Sequence, residues 1–561
     1  MDKISTHKSF ILGITLIALI SILYVIRIFG ARSGIDSLYD EGYLLLKLWE
    51  ARNEIGQQGV SQWPVMVFKL LGSDMSANLL YLRYVEITLQ ILSVLYLIRA
   101  VYKWYSYSQC NNKNSLLFGI SFILLLQYPT LGALFIYYNP IQQLLFNLII
   151  ANVILYQRTN EISKSVYLLL AGLCSFLSFL VILPSGVVVS LLILIYLFVI
   201  NDYNVMKTFS QSVFYILGIV IAALLYHFFV NNLLLVYNEM KEVAGTITKT
   251  GRGYDIFTFI LKYLVYFKDI LLSLFPLIFA FGLSVFVNKY NKILSILVFV
   301  ISIVLINLYW PWAKAMYSTM ILFPALVGFV VYVFSKNIHK PILFLLIFLL
   351  VFPFLGLLGT NVYYGGKIVW FFISWSIVLL ILMSTKLKSK FLDHHKHFFI
   401  LSVLVLYLFF PVRSLFGRDN NKYLFEKYNQ ISGIKITQSQ LIYFNRVDSI
   451  ITKYGYKPNM HYIFSTQLDH MTIYVLNARP NSTYFQPMDF VVDENSFKLI
   501  KPEFLFLTKY DLDVAGEKLI NSNWGFPDAY DKYYVGTPET VNTGYPTERW
   551  LYCLKSLRQN K

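Results

Sequence analysis

The chain of 561 residues is 57% hydrophobic and 14% charged, with a mean hydropathy of +0.59. Ordinary soluble domains carry about 25% charged residues, so there are too few charges here to cover a water-exposed surface, which excludes a soluble enzyme, a disordered chain and a nucleic-acid binder. The net charge of +17, from 47 basic and 30 acidic residues, instead fits the Lys/Arg excess of cytoplasmic loops in membrane proteins.

In chain order, a basic lead (Lys3, Lys8) precedes an apolar run, Phe10 to Phe29. No small-residue cleavage signature follows it, which predicts an uncleaved first span. Further runs of spanning length fall near 79–101, 116–136, 140–157, 165–183, 185–201, 209–231, 270–288, 293–310, 318–335, 341–359, 367–384 and 397–413. The stretches 116–157 and 165–201 are broken only by Tyr137-Tyr138-Asn139-Pro140 and by Pro184-Ser185-Gly186. Each is too long for one crossing of a hydrocarbon core about 30 Å thick, so each is expected to fold into a tight hairpin at its proline. The expected fold class is mainly α, a polytopic transmembrane helix bundle of about thirteen spans.

Sixteen Lys and Arg residues against four acids (Asp2, Glu161, Asp202, Asp393) collect on one side of this topology. That side is expected to be cytoplasmic. It holds the N-terminus, and thirteen spans then put the C-terminus outside. The predicted outer pieces are loops 30–78 and 232–269 and a tail, 413–561, that follows a membrane module over 1–412. The tail is polar and rich in Asn, Pro, Gly and Asp. His461–Ser465, Met471–Val475 and Glu503–Thr508 look like buried strands, and Ser439 to Tyr454 has helical spacing. A small extracytoplasmic α+β domain is expected. There is no internal repeat and no low-complexity segment. Cys110, Cys174 and Cys553 make no disulfide framework or cysteine zinc site.

The most informative stretch for chemistry is Ser37-Leu-Tyr39-Asp40-Glu41-Gly-Tyr43, followed by a helix-like apolar run. Leu44, Leu45, Leu48 and Trp49 are spaced to lie along the membrane surface, which would hold the two carboxylates at its boundary. A carboxylate there reaches the head group of a lipid-linked substrate and serves as a general base on an acceptor hydroxyl. Asp40 or Glu41 equally suits a helix N-cap, and the two roles are compatible.

An inward N-terminus, an outer loop opening on Asp-Glu, a surface helix, about thirteen spans and an outer C-terminal domain together resemble the GT-C superfamily. These are membrane glycosyltransferases that use polyprenyl-phosphate-linked sugars. Tyr39-Asp-Glu-Gly-Tyr43 is similar to the Asp-Glu-Gly-aromatic opening of many bacterial members. Tyr138-Asn139-Pro-Ile-Gln-Gln-Leu-Leu145 is similar to their Tyr-Asn hairpin, and Pro184-Ser-Gly to a later turn. The resemblance implies a catalytic base at Asp40 first and Glu41 second, with Tyr39, Tyr138 and Asn139 near the substrate. A Lys-Pro-Pro element found in many members is absent, and Lys69 is only a loose positional substitute.

A lipid-phosphate donor calls for cations at the outer boundary. The candidates are Lys69, Arg83, Lys241, Lys249, Arg252, Lys314 and Lys367. Arg83 is the sharpest because it lies within a span, where charge is costly; an Arg83–Glu86 helix pair is the structural alternative. Gly245 to Asp255 (GTITKTGRGYD), with Lys249 and Arg252, is a basic glycine-containing segment suited to close over a head group or simply to be solvated. Tyr309-Trp-Pro-Trp fits an aromatic belt, His394-His395-Lys-His397 a solvated loop, and His227 a packed histidine. Asn481-Ser-Thr483 matches a glycosylation sequon of the kind that arises by chance. No metal-ligand set is visible, although the chemistry leaves room for a divalent cation.

Three functions are then weighed. A glycosyltransferase would take a polyprenyl-phosphate-sugar donor and an envelope glycan, lipid or protein acceptor, at the inner (plasma) membrane of a bacterium. A lipid-linked glycan polymerase or ligase would be expected to place its largest outer piece between spans. A transporter would be expected to show mid-membrane polar groups and inverted repeats. Sugar release from a lipid carrier, against solute flux, separates them.

Overall fold

The computed structural model describes residues 78–107, 138–157, 161–238, 256–309, 316–334, 338–356, 373–384, 423–465, 470–480, 501–521, 523–536 and 548–558, together with isolated positions such as Leu45, Met66 and Phe371. The expected spans 9–29, 116–136 and 397–413 lie almost wholly outside these residues, so the thirteen-span expectation is carried only in part.

Among the described residues, ten apolar helices build the N-terminal part. They are α1 (Leu79–Tyr107), α2 (Tyr138–Tyr156), α3 (Glu161–Val181), α4 (Leu183–Ile200), α5 (Val205–Phe229), α6 (Ile256–Asn288), α7 (Lys292–Tyr309), α8 (Met316–Val333), α9 (Lys340–Leu355) and α10 (Ile373–Ser384). Five helical stretches among the described residues are long and apolar enough to cross a membrane. The bundle turns large apolar side chains outward, among them Leu92, Leu95, Leu191 and Phe275, which is what a lipid solvent requires of a helix surface. This is a multi-pass membrane protein.

Two boundaries differ from the sequence expectation. The chain reverses at Ile182 rather than at Pro184: Ile182 is extended (φ −139°, ψ 98°) and Pro184 sits in the first turn of α4. Proline suits that place because its missing N–H would have no intrahelical partner there. The return is tight. A Cβ on Gly186 would lie 2.4 Å from the backbone nitrogen of Phe179. The second difference is α6, which starts at Ile256 rather than near residue 270, so the predicted 232–269 loop is helical over its last part. At about 1.5 Å per residue, α6 is about 50 Å long, more than a bilayer core is thick.

Close backbone contact fixes the crossing of α3 and α5. A Cβ on Gly172 would fall 2.0 Å from the Tyr215 carbonyl oxygen, and one on Gly218 would fall 2.1 Å from that of Leu169. Small residues at helix crossings are the usual device where lipid offers no hydrophobic drive for association. Hydrogen bonds tie other helices. Ser284 Oγ lies 3.0 Å from Ser295 Oγ between α6 and α7, Trp375 Nε1 donates to the Leu350 carbonyl at 2.8 Å, and the Tyr105 hydroxyl to that of Leu380 at 2.7 Å.

The C-terminal part is a small α+β unit. Strands β1 (Tyr423–Phe425) and β2 (Ile434–Ile436) form an antiparallel pair. Strands β3 (Tyr462–Ser465), β4 (Arg479–Pro480), β5 (Phe504–Thr508), β6 (Tyr530–Gly536) and β7 (Arg549–Leu554) form a mixed sheet in the order β4-β3-β5-β7-β6. The β3–β4 and β3–β5 pairs are parallel, while β5–β7 and β6–β7 are antiparallel. Helix α11 (Gln438–Lys453) covers one face with Tyr443, Phe444, Val447 and Ile451 against Phe504, Phe506 and Leu551. Helix α13 (Lys509–Ile520) and Trp524 cover the other face over Phe464, Leu505 and Leu507. Burial on both faces explains why β5 reads as an unbroken apolar run.

The expected strand Met471–Val475 is instead the helix α12 (His470–Val475). Met471, Thr472, Ile473, Tyr474 and Val475 are all buried, and a short run buried on every side has no periodicity to distinguish helix from strand. Cys174 and Cys553 are buried free thiols, and burial raises the Cys553 pKa.

Candidate functional site

The C-terminal unit rests on one end of the helical bundle. Leu79 and Leu82 at the start of α1, Leu145 in α2, and Val181 and Ile182 at the α3–α4 reversal share one buried cluster with Ile431, Ile434, Ile436 and Tyr443. Asn78 donates through Nδ2 to the Asn429 carbonyl at 2.8 Å. These are ends that the Lys/Arg count assigns to one side. The ends assigned to the other side also meet. Asn201 Nδ2 donates to Gln211 Oε1 at 2.7 Å, Gln157 Nε2 to the Pro341 carbonyl at 2.9 Å, and Lys340 pairs with Asp202 at 3.3 Å.

Inside the tail-facing end lies a set of buried polar side chains. Arg83, Glu86, Gln90 and Ser93 recur at three- and four-residue steps, so they occupy one face of α1. Arg83 is fully buried and Glu86 is 6% exposed. Gln90 Nε2 donates to Glu86 Oε1 at 2.9 Å. Asn147 Nδ2 reaches Ser93 Oγ at 3.3 Å and joins α1 to α2. From α2, Gln142 Nε2 donates to Ser178 Oγ of α3 at 2.6 Å and to Ser185 Oγ of α4 at 2.9 Å.

Among the acceptors of this set, Gln90 Oε1 and Gln142 Oε1 are buried and accept no hydrogen bond from the described residues. An unmet buried amide oxygen costs on the order of 1–3 kcal/mol, and a charge inside a span costs about 3 kcal/mol on insertion. Both kinds of group are therefore costly to keep inside a span. Along α1 the guanidinium of Arg83, a group that suits phosphate in a forked geometry, is followed two turns later by Gln90, whose free oxygen suits a hydroxyl donor. Among the described residues no three His, Cys, Asp or Glu side chains are grouped to hold a metal ion.

Of the expected site residues and candidate cations, Arg83 and Lys241 are the ones whose side chains the structure describes; Arg83 is buried and Lys241 exposed. Tyr138 and Asn139 are the first residues of α2. Tyr39, Asp40, Glu41, Lys69, Lys249 and Arg252 lie outside the described residues. Single positions in the first loop are informative. Leu45 is fully buried and belongs to the same cluster as Leu79 and Leu82, so this part of the expected surface helix packs against protein. Met66 packs against the cluster of Phe176, Leu180 and Tyr226 between α3 and α5. Gln90, Gln142, Gln143 and Asn147, buried polar residues inside apolar helices, are not among the expected site residues.

No family model matches the sequence, and no curated protein matches it. Solved structures with a similar fold are found. An oligosaccharyltransferase of Archaeoglobus fulgidus, in a complex with zinc and sulfate, superposes with a TM-score of 0.46 at 13% identity over 92% of this chain and 72% of that one. AglB from Archaeoglobus fulgidus, an archaeal oligosaccharyltransferase bound to an inhibitory peptide and a dolichol-phosphate, gives 0.45 at 12% identity over 97% and 76%. ArnT from Cupriavidus metallidurans, bound to undecaprenyl phosphate, gives 0.43 at 12% identity over 98% and 99%. Likeness at this level leaves the architecture to rest on the helices and strands above.

Proposed function

We propose that this chain is a membrane glycosyltransferase of the GT-C type, transferring a hexosyl or pentosyl unit from a polyprenyl-phosphate-linked donor to an envelope glycan, lipid or protein on the outer face of the inner membrane. Asp40 is the general base, with Glu41 beside it. The acceptor hydroxyl gives its proton to the Asp40 carboxylate as its oxygen bonds to the anomeric carbon. The bond from that carbon to the phosphate oxygen breaks, and its electron pair leaves with the polyprenyl phosphate. Arg83 meets the negative charge that grows on the departing phosphate, which lowers the barrier. Lys69, Lys249 and Arg252 add positive charge at the same boundary, and Tyr39, Tyr138 and Asn139 contact the donor.

The observation that carries this proposal is the shared cluster of Leu45 and Leu82. A chain spans at most about 3.5 Å per residue, so the five residues from 40 to 45 reach no farther than about 17 Å. That limit supports a reading in which the carboxylates act near the end of the bundle where Arg83 is buried. The donor class is the one that the sequence resemblance implies; dolichol-phosphate and undecaprenyl phosphate, present in two of the similar structures, belong to it.

The test is Asp40→Asn in purified protein supplied with membrane-extracted lipid-linked sugars. The variant is expected to unfold at the wild-type temperature and to release no sugar from the carrier. Wild-type release by Asp40→Asn would remove Asp40 as the base. Arg83→Gln is expected to weaken undecaprenyl phosphate binding in lipid nanodiscs by at least roughly tenfold, and unchanged binding would remove Arg83 from the site.

A further inference from the structure

The start of α1 is held by a residue with two jobs. Asn78 Oδ1 accepts from the backbone N–H of Leu80 at 2.9 Å and of Tyr81 at 3.3 Å, which is a helix N-cap. Its Nδ2 meanwhile donates to the Asn429 carbonyl at 2.8 Å, and to that of Ser432 at 3.5 Å. The acceptors belong to the turn between β1 and β2. That turn is pressed onto α1: a Cβ on Gly433, which has φ +82°, would lie 3.0 Å from Leu80 Cδ2. Behind it, Lys427 and the Tyr428 hydroxyl both bond to Asp448 of α11. One side chain thus joins the C-terminal unit to the helix that carries Arg83, Glu86 and Gln90 from its second turn onward.

We propose that Asn78 is a positioning residue: by capping α1 and bonding the tail turn with the same amide, it sets the rotation and depth at which the polar face of α1 meets its ligand. Residues of a helix advance by about 100° each, so a first turn that frays or slips re-aims Arg83 directly. This inference rests on the proposed function for what that face binds, namely an anionic lipid phosphate. It does not rest on it for the clamp itself.

Asp and Ser cap helices as well as Asn does, but neither gives the tail a suitable amide donor at this reach. A pure capping role therefore predicts that Asn78→Asp and Asn78→Ser are silent. A clamp predicts that both are not. The full-length chain in lipid nanodiscs, with Cys110→Ser and spin labels on Tyr81→Cys and Leu424→Cys, reports the distance between α1 and the tail. Asn78→Asp and Asn78→Ser are each expected to broaden that distance distribution. Each is also expected to weaken undecaprenyl phosphate binding roughly tenfold, with the thermal unfolding transition retained. Asp448→Ala combined with Asn78→Asp is expected to lose no more than either alone, since both break one chain of contacts.

A distribution as narrow as wild type in either variant overturns the clamp. A broadened distribution with unchanged lipid binding overturns the positioning role. Additive losses in the double variant overturn the path through the tail turn. A wild-type chain that binds no undecaprenyl phosphate counts against the proposed function, and the distance measurement alone then decides the clamp.

Discussion

The tail-facing end of the bundle and the C-terminal unit that sits on it both bury polar side chains, but they treat them differently. In the C-terminal unit the buried polar groups at helix starts are matched locally. Thr437 and Gln440 form a reciprocal capping box on α11, and Thr508 and Asp511 form another on α13, where Thr508 Oγ1 donates to Asp511 Oδ2 at 2.7 Å. The Tyr454 hydroxyl donates to Asp531 at 2.6 Å, and burial together with that carboxylate raises its pKa, so it remains a donor. In the bundle, Gln90 and Gln142 each spend their amide N–H groups and keep a buried oxygen in reserve. Matched polar groups specify a fold. The C-terminal unit also keeps one unmatched acceptor, Asn459 Oδ1, but within a span an unmet acceptor is most costly, and under the proposed function a ligand completes it.

Three substitutions break or sharpen this contrast. The largest effect is expected at neither polar set but at the α3–α5 crossing. Gly172→Leu drives a side chain into the Tyr215 carbonyl, and the helices must part. Loss of more than about 4 kcal/mol is expected, read as failure to recover monodisperse protein in detergent; a well-behaved variant would mean that the two helices do not touch through their backbones. Next is Thr508→Ala, which deletes one capping box. It is expected to cost about 1–2 kcal/mol in thermal or denaturant unfolding and to leave undecaprenyl phosphate binding at its wild-type value. Smallest in stability is Gln142→Met, which removes the orphan oxygen along with two hydrogen bonds at similar volume. Its stability is expected to change by less than about 1 kcal/mol while lipid binding weakens. A large loss of stability with unchanged binding would move Gln142 from the site to the scaffold.

The apolar helices were legible because a 20-residue hydrophobic run has few alternatives in a bilayer. Expected boundaries near 140–157, 165–183 and 293–310 lie within a few residues of α2, α3 and α7. The start of α6 was not legible, since the run is interrupted by Lys268 and Asp269 and continues as helix before them. Of the site, Arg83 stood out as a charge within a span. Gln142 and Gln143 were on the page as part of a turn motif but gave no sign of facing inward, because one helix read alone has no inside.

What the sequence by itself determined is the solvent of each part: lipid for the helices of the first 400 residues, water for the tail, set by hydrophobic run length and by charge. The tertiary structure alone decided that Leu45, Leu82, Ile182 and Ile434 share one core, and that Asn78 reaches Asn429 across 351 positions of chain. Local pattern measures transfer from water, which each residue undergoes independently. Partnership across hundreds of residues is settled only when packed surfaces meet and every buried donor must find its acceptor.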